Sequence, residues 1–343
     1  MKALVTGGSG YFGSLLIKKL IEVDWEVGSL DINKVSDLPR NVSFHEQDIR
    51  CADGLKRCLM GYDVLFHNVA QVPIAKDRKL FWDVNVEGTR NLCKAAIEIG
   101  LKKIVYTSSS AVFGVPEKNP VTENTVPKPR EDYGLAKLER EKLFAKYADQ
   151  GLNVIIIRPR TILGHGCMGI FQILLEWIYK GINIPVLNDG KNIYQFVHAS
   201  DLANATISAS RLNNNKTYNI GAANYGAMRH SLEALCEHAG TGSRVYSLPM
   251  RPIQVLMNTT SALGLSPLAP YHSLMYGRSM YFDISKAQNE LGFSPKYSNI
   301  EMILESYDWY IRNRDIILNE TKDLSHHRSR LSEGVLKILK WIS

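Results

Sequence analysis

The sequence predicts an α/β fold: a Rossmann-type doubly wound parallel sheet with a smaller, interleaved substrate-binding region. Three observations carry that expectation. Short apolar runs alternate with amphipathic helical stretches through the first half, the pattern of parallel strands covered on both faces. A glycine turn, Gly7-Gly8-Ser9-Gly10-Tyr11-Phe12-Gly13, follows the first apolar run at once. Asp31 closes the second run near the spacing of about 20 residues expected in a dinucleotide-binding unit.

Taken in order, the strand candidates are Ala3–Thr6, Trp25–Leu30, Val42–Glu46, Val64–Asn68, Ile104–Ser108 and Val154–Arg158. They are short and apolar and are separated by helical segments, as expected of strands buried on both faces. Phe12, Leu16 and Leu20 repeat every four residues and give the first helix a core-facing stripe. Further helices are expected over Val86–Ile99 and from Tyr133 to Tyr147. After Arg158 the pattern breaks, with Pro159, Gly164, Gly166, Gly169, Pro185 and Gly190 punctuating shorter elements. The expected division is a mainly dinucleotide-binding domain over residues 1–163 and a substrate-binding region over 164–312 that returns in places to the main sheet. A helical tail over 313–343 follows. The apolar stretch Ile253–Leu268, interrupted by Gly264 and Pro267, reads first as a core helix and second as a cleft cover. In the tail, Leu331, Val335, Ile338, Leu339 and Ile342 share one helical face. Docking on its own domain or on a dimer mate is expected there, with peripheral membrane contact as the second reading.

Composition bounds the function classes. The 343 residues are 45% hydrophobic and 22% charged, which is ordinary for a globular chain. No run approaches the roughly 18 apolar residues of a membrane span. A cleavable signal peptide would have to remove the first strand, so none is expected. Five scattered cysteines without a Cys-x-x-Cys pair argue against disulfides and structural zinc, so a reduced, cytoplasmic setting is expected. The net charge of +7 suits an anionic substrate, but it is too diffuse for nucleic-acid binding. Histidines such as His165 and His198 show no metal-ligand spacing, so no metal is expected.

The glycine spacing has a chemical purpose. Gly7 lets the chain turn tightly, Gly10 lets backbone approach a pyrophosphate, and Gly13 lets the helix pack against the strand. The helix N-terminus then offers N–H groups to phosphate. A carboxylate at Asp31 would accept bonds from an adenosine ribose and repel a 2′-phosphate, which favours NAD over NADP. Lys34 and Arg40 keep NADP as the second choice.

Tyr133 and Lys137 stand four residues apart and share one helical face. A tyrosine is a poor base at neutral pH unless positive charge nearby favours its phenolate. The serine run Ser108-Ser109-Ser110 ends the fifth strand, where open parallel sheets bind their ligands. One of these hydroxyls would fix a reacting oxygen against the tyrosine.

These motifs occur together with Asp48-Ile49, His67-Asn68-Val69-Ala70, Asn85-Val86-Glu87-Gly88-Thr89 and Arg158-Pro159. Weaker matches follow at Phe196-Val197-His198 and Asp283-Ile284-Ser285-Lys286. In this order they resemble the extended short-chain dehydrogenase/reductases, the epimerase/dehydratase superfamily that also includes 3β-hydroxysteroid dehydrogenases. The resemblance covers about residues 1–312. It implies that Gly7, Gly10, Tyr11, Phe12 and Gly13 line a pyrophosphate and that Asp31 holds the adenosine ribose. It places Asp48 and Ile49 beside adenine, and Val69 and Ala70 along the cofactor. Asn85 would support the active-site helix. It makes Ser109 the catalytic hydroxyl, with Ser108 a secondary contact, Tyr133 the acid/base, and Lys137 the residue that holds the nicotinamide ribose and lowers the tyrosine pKa. A homodimer acting on a small hydroxyl or keto substrate is implied as well.

The departures from that family narrow the choice. Ser110 and Ala111 stand where dehydratases carry an Asp-Glu pair, so water elimination lacks its acid and base. Thr161 replaces the asparagine, and Tyr194-Gln195 replaces the Arg-Asp, of nucleotide-sugar epimerases. That removes a charge-assisted grip on a diphosphate, for which Arg160, Lys191 or Arg278 could substitute. The segment Arg158–Gly164 is similar to the hydroxysteroid-dehydrogenase-like branch. The expected activity is NAD(P)-dependent oxidation of a secondary hydroxyl on a sugar-like or lipid-like substrate. A nucleotide-sugar 4-epimerase is the alternative, and a non-catalytic dinucleotide sensor or scaffold is the reading from another class.

Overall fold

A computed structural model describes residues 1–71, 77–164, 166–167, 169, 171–213, 215–262 and 274–319. The six predicted strands form β1 (Lys2–Thr6), β2 (Glu26–Asp31), β3 (Ser43–Glu46), β4 (Val64–His67), β5 (Lys103–Thr107) and β6 (Asn153–Pro159). A seventh, β11 (Lys216–Ile220), returns from the second half of the chain and pairs with β6. All pairings in this sheet are parallel, in the order β3, β2, β1, β4, β5, β6, β11. The strand order reverses between β1 and β4, so a crevice opens at their C-terminal ends.

Helices cover both faces. On one, α1 (Tyr11–Glu22) buries Phe12, Leu16 and Leu20 against the sheet and α7 (Ala199–Ser210). On the other lie α2 (Leu55–Leu59), α4 (Gly88–Glu98) and α5 (Asp132–Ala148). The helix expected from Val86 begins earlier. A short α3 (Arg78–Trp82) runs through a π-helical stretch, Asp83–Glu87, directly into α4. Such π turns are frequent at functional sites, and this one carries Asn85.

The second half adds short strands β7 (Thr161–Leu163), β8 (Ile184–Leu187), β9 (Ile193–Tyr194), β10 (Phe196–His198), β12 (Gly226–Ala227) and β13 (Val245–Leu248). Around them pack α6 (Phe171–Tyr179), α8 (Met228–Ala239), α9 (Met250–Ala262), α10 (Ser285–Leu291) and α11 (Asn299–Asn319). Leu175, Trp177, Ile178, Leu235, Ile303 and Tyr310 form a separate apolar core there. The core-helix expectation for Ile253–Leu268 fails over its described part. Arg251 and Pro252 are exposed, Val255 is 66% exposed, and Ile253 and Gln254 are only half-buried. The rest of that stretch and the amphipathic tail from Leu331 lie outside the described residues. His198 caps α7, stacks on Tyr297 at 3.7 Å and bonds Glu305 at 2.9 Å, which is a packing role.

Candidate active site

The glycine turn leaves β1 at the reversal point of the sheet. Gly7 has φ of 70°, a left-handed backbone that favours glycine. A Cβ there would stand 3.0 Å from the Val69 amide nitrogen, and a Cβ on Gly13 would lie 2.0 Å from the Gly7 carbonyl oxygen. Turn, helix start and the end of β4 therefore meet backbone to backbone. Gly10 caps α1 without a side-chain bond, and no acidic residue occupies the first turn. The amides of Phe12 and Gly13 precede the first intrahelical bond, from Ser14 to Gly10 at 2.9 Å. A positive helix end with nothing acidic before it fits a pyrophosphate. The Tyr11 phenol points elsewhere and donates to the Gly164 carbonyl.

Asp31 lies at the lip of this turn, accepting from the Ser9 amide at 3.1 Å and the Ile32 amide at 2.8 Å. Burial raises its carboxyl above the usual range while these backbone bonds pull it back. Asp48 is gripped by Arg50, which holds its carboxyl below the usual range. Ile49 is buried and packs on Gly88, where a Cβ would meet it at 2.6 Å. Val69 and Ala70 follow β4, half-buried, beside Gly7.

Across the crevice, Ser109 follows β5, and its oxygen accepts from the Ala111 amide at 3.1 Å. Tyr133 opens α5, where the Glu131 carboxylate caps the helix through the Tyr133 and Gly134 amides at 2.8 and 2.7 Å. The Ser109 hydroxyl neighbours the Tyr133 phenol and favours its ionisation. Lys137 Nζ lies 5.7 Å from the centre of the Tyr133 ring and donates to the Thr107 carbonyl at 2.8 Å. The three residues predicted as a set are thus brought together.

Their electrostatics differ from the sequence expectation in one respect. Burial pushes the Tyr133 phenol above its ordinary value, while the Ser109 hydroxyl and the Arg140 charge draw it down. Burial, then repulsion from Arg140, holds Lys137 well below the usual lysine range. Arg140, whose guanidinium keeps its proton on burial, adds a second positive group near Tyr133.

Arg140 is fully buried. It donates to His67 Nε2 at 2.6 Å, the Val69 carbonyl at 2.8 Å and Asn85 Oδ1 at 3.3 Å. His67 accepts at Nε2, so its Nδ1 carries the proton and donates to Thr6 Oγ1 at 2.8 Å. Burial and the neighbouring cations hold His67 neutral. Sequence reasoning missed Arg140, although a signal was present: it lies three residues after Lys137 and seven after Tyr133, on the same helical face.

Ser108 is placed otherwise than predicted. Its hydroxyl donates to Glu141 at 2.5 Å, and Glu141 also accepts two bonds from Arg158 at 3.0 and 2.6 Å. That contact braces β5 and β6 to α5. On the substrate side, Thr161 and Tyr194 share a hydroxyl hydrogen bond of 2.8 Å. Of the three substitute cations, Arg160 is buried with its guanidinium 4.7 Å from the Tyr194 ring and bonds Ser110. Lys191 is exposed and paired with Asp189. Arg278 contacts Gln254 of α9 at 3.5 Å. Among the described residues no cluster of three metal-ligating side chains occurs, and no helix is long and apolar enough to cross a membrane. His165 lies outside the described residues.

Comparison with known proteins follows the same lines. Residues 3–221 match the model of the NAD dependent epimerase/dehydratase family. An uncharacterized protein of Sinorhizobium fredii, y4nG, is 54% identical over 341 residues, covering 99% of this chain and 85% of its own length. UDP-glucose 4-epimerase 4 of Oryza sativa is 25% identical, with 90% of each chain covered. The solved UDP-glucose 4-epimerase of Thermotoga maritima with UDP-glucose superposes with a TM-score of 0.76 at 25% identity, covering 92% of this chain and all of the other. That of Thermus thermophilus with NAD gives 0.73 at 26%, covering 91% and 99%. With a seven-stranded parallel sheet, a glycine turn at its reversal point and a family match over most of that sheet, this chain belongs to the NAD-dependent epimerase/dehydratase family.

Proposed function

We propose that the protein is an NAD-dependent oxidoreductase that reversibly oxidises a secondary hydroxyl, with Tyr133 as acid/base, Ser109 as orienting donor and Lys137 as cofactor anchor. The observation that carries this reading is the meeting of Ser109, Tyr133 and Lys137 across the crevice from the glycine turn.

The crevice suits a dinucleotide on its own chemistry. Glycine positions that admit no Cβ and an uncapped helix end at Phe12 and Gly13 accept a pyrophosphate. The Asp31 carboxylate beside the turn favours an unphosphorylated ribose, hence NAD before NADP. Bound there, NAD supplies a hydride acceptor. The protein's part is to manage the proton. Ser109, beside the phenol, holds a substrate hydroxyl against Tyr133, and the Tyr133 oxygen takes its proton as the carbon is oxidised. In the reverse direction the same phenol returns it. Lys137 stands behind both, held by the Thr107 carbonyl.

A second reading, an epimerase that returns the hydride to the opposite face of the same substrate, uses the same three residues. It is favoured by the relatives named UDP-glucose 4-epimerases. Against a sugar diphosphate gripped as in those enzymes stand Tyr194 and Thr161, whose hydroxyls bond to one another. Purified protein is to be offered NAD with a panel of UDP-sugars and alicyclic alcohols. Steady NADH formation supports the dehydrogenase. Inversion of a sugar carbon without net NADH supports the epimerase. Neither outcome with any NAD-binding ligand would remove the enzymatic reading.

A further inference from the structure

Resting on the reading of Ser109 and Tyr133 as the groups that hold and deprotonate a substrate hydroxyl, we propose that Arg160 recognises a carboxylate. The substrate is then a secondary alcohol with a carboxylate close to its reacting carbon.

Arg160 stands between β6 and β7, with its amide held by the Ile220 carbonyl at 2.9 Å. It is 1% exposed. One of its nitrogens, Nη1, donates to Ser110 Oγ at 2.8 Å. The other two, Nε and Nη2, are buried without a hydrogen-bond partner. These two nitrogens carry the parallel N–H bonds along one edge of the guanidinium, the edge that fits both oxygens of a carboxylate. The Tyr194 and Phe282 rings lie 4.7 and 5.6 Å from it, and this packing limits its movement. Burying charged donors unpaired is unfavourable, and an anion that arrives with the substrate recovers the loss.

The position of Arg160 selects the anion. Ser110 adjoins Ser109, and neighbouring Cα atoms stand about 3.8 Å apart. The guanidinium bonded to Ser110 is thus one residue from the hydroxyl that meets the reacting oxygen. In a nucleotide sugar reacting at C4, the diphosphate lies across the ring from that point. A carboxylate on the carbon next to the carbinol lies beside it. Phe282 is buried, whereas Tyr194 and Thr161 are half-buried and share a hydroxyl bond of 2.8 Å. A ligand therefore arrives from the Tyr194 side, and that bond opens to admit it.

The test is calorimetric binding, with NADH saturating, of probes matched except for the carboxylate. One pair is UDP-glucuronate and UDP-glucose. The other is trans-2-hydroxycyclohexanecarboxylate and trans-2-(hydroxymethyl)cyclohexanol. The acid of at least one pair is expected to bind roughly 10- to 100-fold tighter than its neutral partner. Arg160→Gln is expected to abolish that preference and leave the affinity for UDP alone unchanged. Arg160→Lys, which keeps the charge and loses the fork, should retain only part of the preference. Acids that bind no better than their partners overturn the proposal, and so does a preference that survives Arg160→Gln. If Arg160→Gln weakens UDP as much as UDP-glucuronate, the residue grips a diphosphate and the proposal also falls. Should Arg160→Gln not fold, Arg160→Lys decides, and a preference it leaves whole overturns the proposal. Failure of the underlying enzymatic reading is seen separately, as unchanged turnover in Tyr133→Phe.

Discussion

Two buried clusters of charge in this molecule are built by opposite rules. Under Tyr133, Lys137 and Arg140 bring two cations into the sheet–helix interface and bond them to neutral acceptors. In the second half, Glu176 of α6 accepts two bonds of 2.8 Å from Arg314 of α11, one of 2.6 Å from the Tyr310 hydroxyl, and an ion pair of 2.6 Å from Lys180. Burial would raise the Glu176 carboxyl, but these donors outweigh it and hold it at about 2. The cluster centred on a carboxylate ties two helices together. The one under Tyr133 gathers its cations on neutral acceptors. A central carboxylate marks the brace, and neutral acceptors mark the site.

The sharpest way to break this contrast is at Tyr133. Tyr133→Phe is expected to lower turnover about 10²- to 10⁴-fold on whichever substrate the panel identifies, with the thermal melt unchanged. A melt that shifts by several degrees with little loss of turnover would make the cluster under Tyr133 the structural one. Next in size is Glu176→Gln, which strands Arg314. It should cost about 3 kcal/mol by urea denaturation and leave NAD affinity as it was. If NAD affinity falls with it, the two clusters are coupled and the contrast dissolves.

Acid separates the clusters by window. His67 is held well below its usual value, first by burial and then by Arg140 and Lys137. The unfolded chain therefore binds the extra proton, and stability falls as pH drops below about 6.5, by up to roughly 1.4 kcal/mol per pH unit. Glu176 is depressed instead, so its stabilisation is complete above about 4.5 and is lost as pH falls toward its folded value. His67→Gln should flatten the first window and spare the second, as urea melts taken at pH 7, 5.5 and 4 (about these values) would show.

The same contrast explains what the sequence discloses. The sheet is legible because strand periodicity and turn glycine are local properties. Phe12, Leu16 and Leu20 mark a helix face, and Gly7 marks a positive φ. Ser109, Tyr133 and Lys137 are legible as residue types, since their spacing alone puts two of them on one face. What escapes is long-range. Arg140 looks like any solvated helix arginine until β4 and the π turn close over it, and Ser108 looks like its neighbour until Glu141 takes its hydroxyl. The reading of Ile253–Leu268 as core failed over its described residues for the same reason: apolar content does not say which neighbours arrive to cover it.

The smallest effect tests whether the brace is a pair or a network. Lys180 lies four residues after Glu176 and its side chain is 45% exposed, whereas Arg314 is 19% exposed and engages both carboxylate oxygens. An exposed ammonium at helical spacing contributes little, because water screens it and its long side chain loses freedom on pairing. Lys180→Met should therefore cost under about 0.5 kcal/mol, well below Glu176→Gln in the same urea assay. With the carboxylate still held by Arg314 and Tyr310, the acid window of Glu176 should persist. If the lysine substitution costs as much as the glutamate one, the balance belongs to three charges acting as a unit, and the brace draws its strength from solvent-facing as well as buried groups.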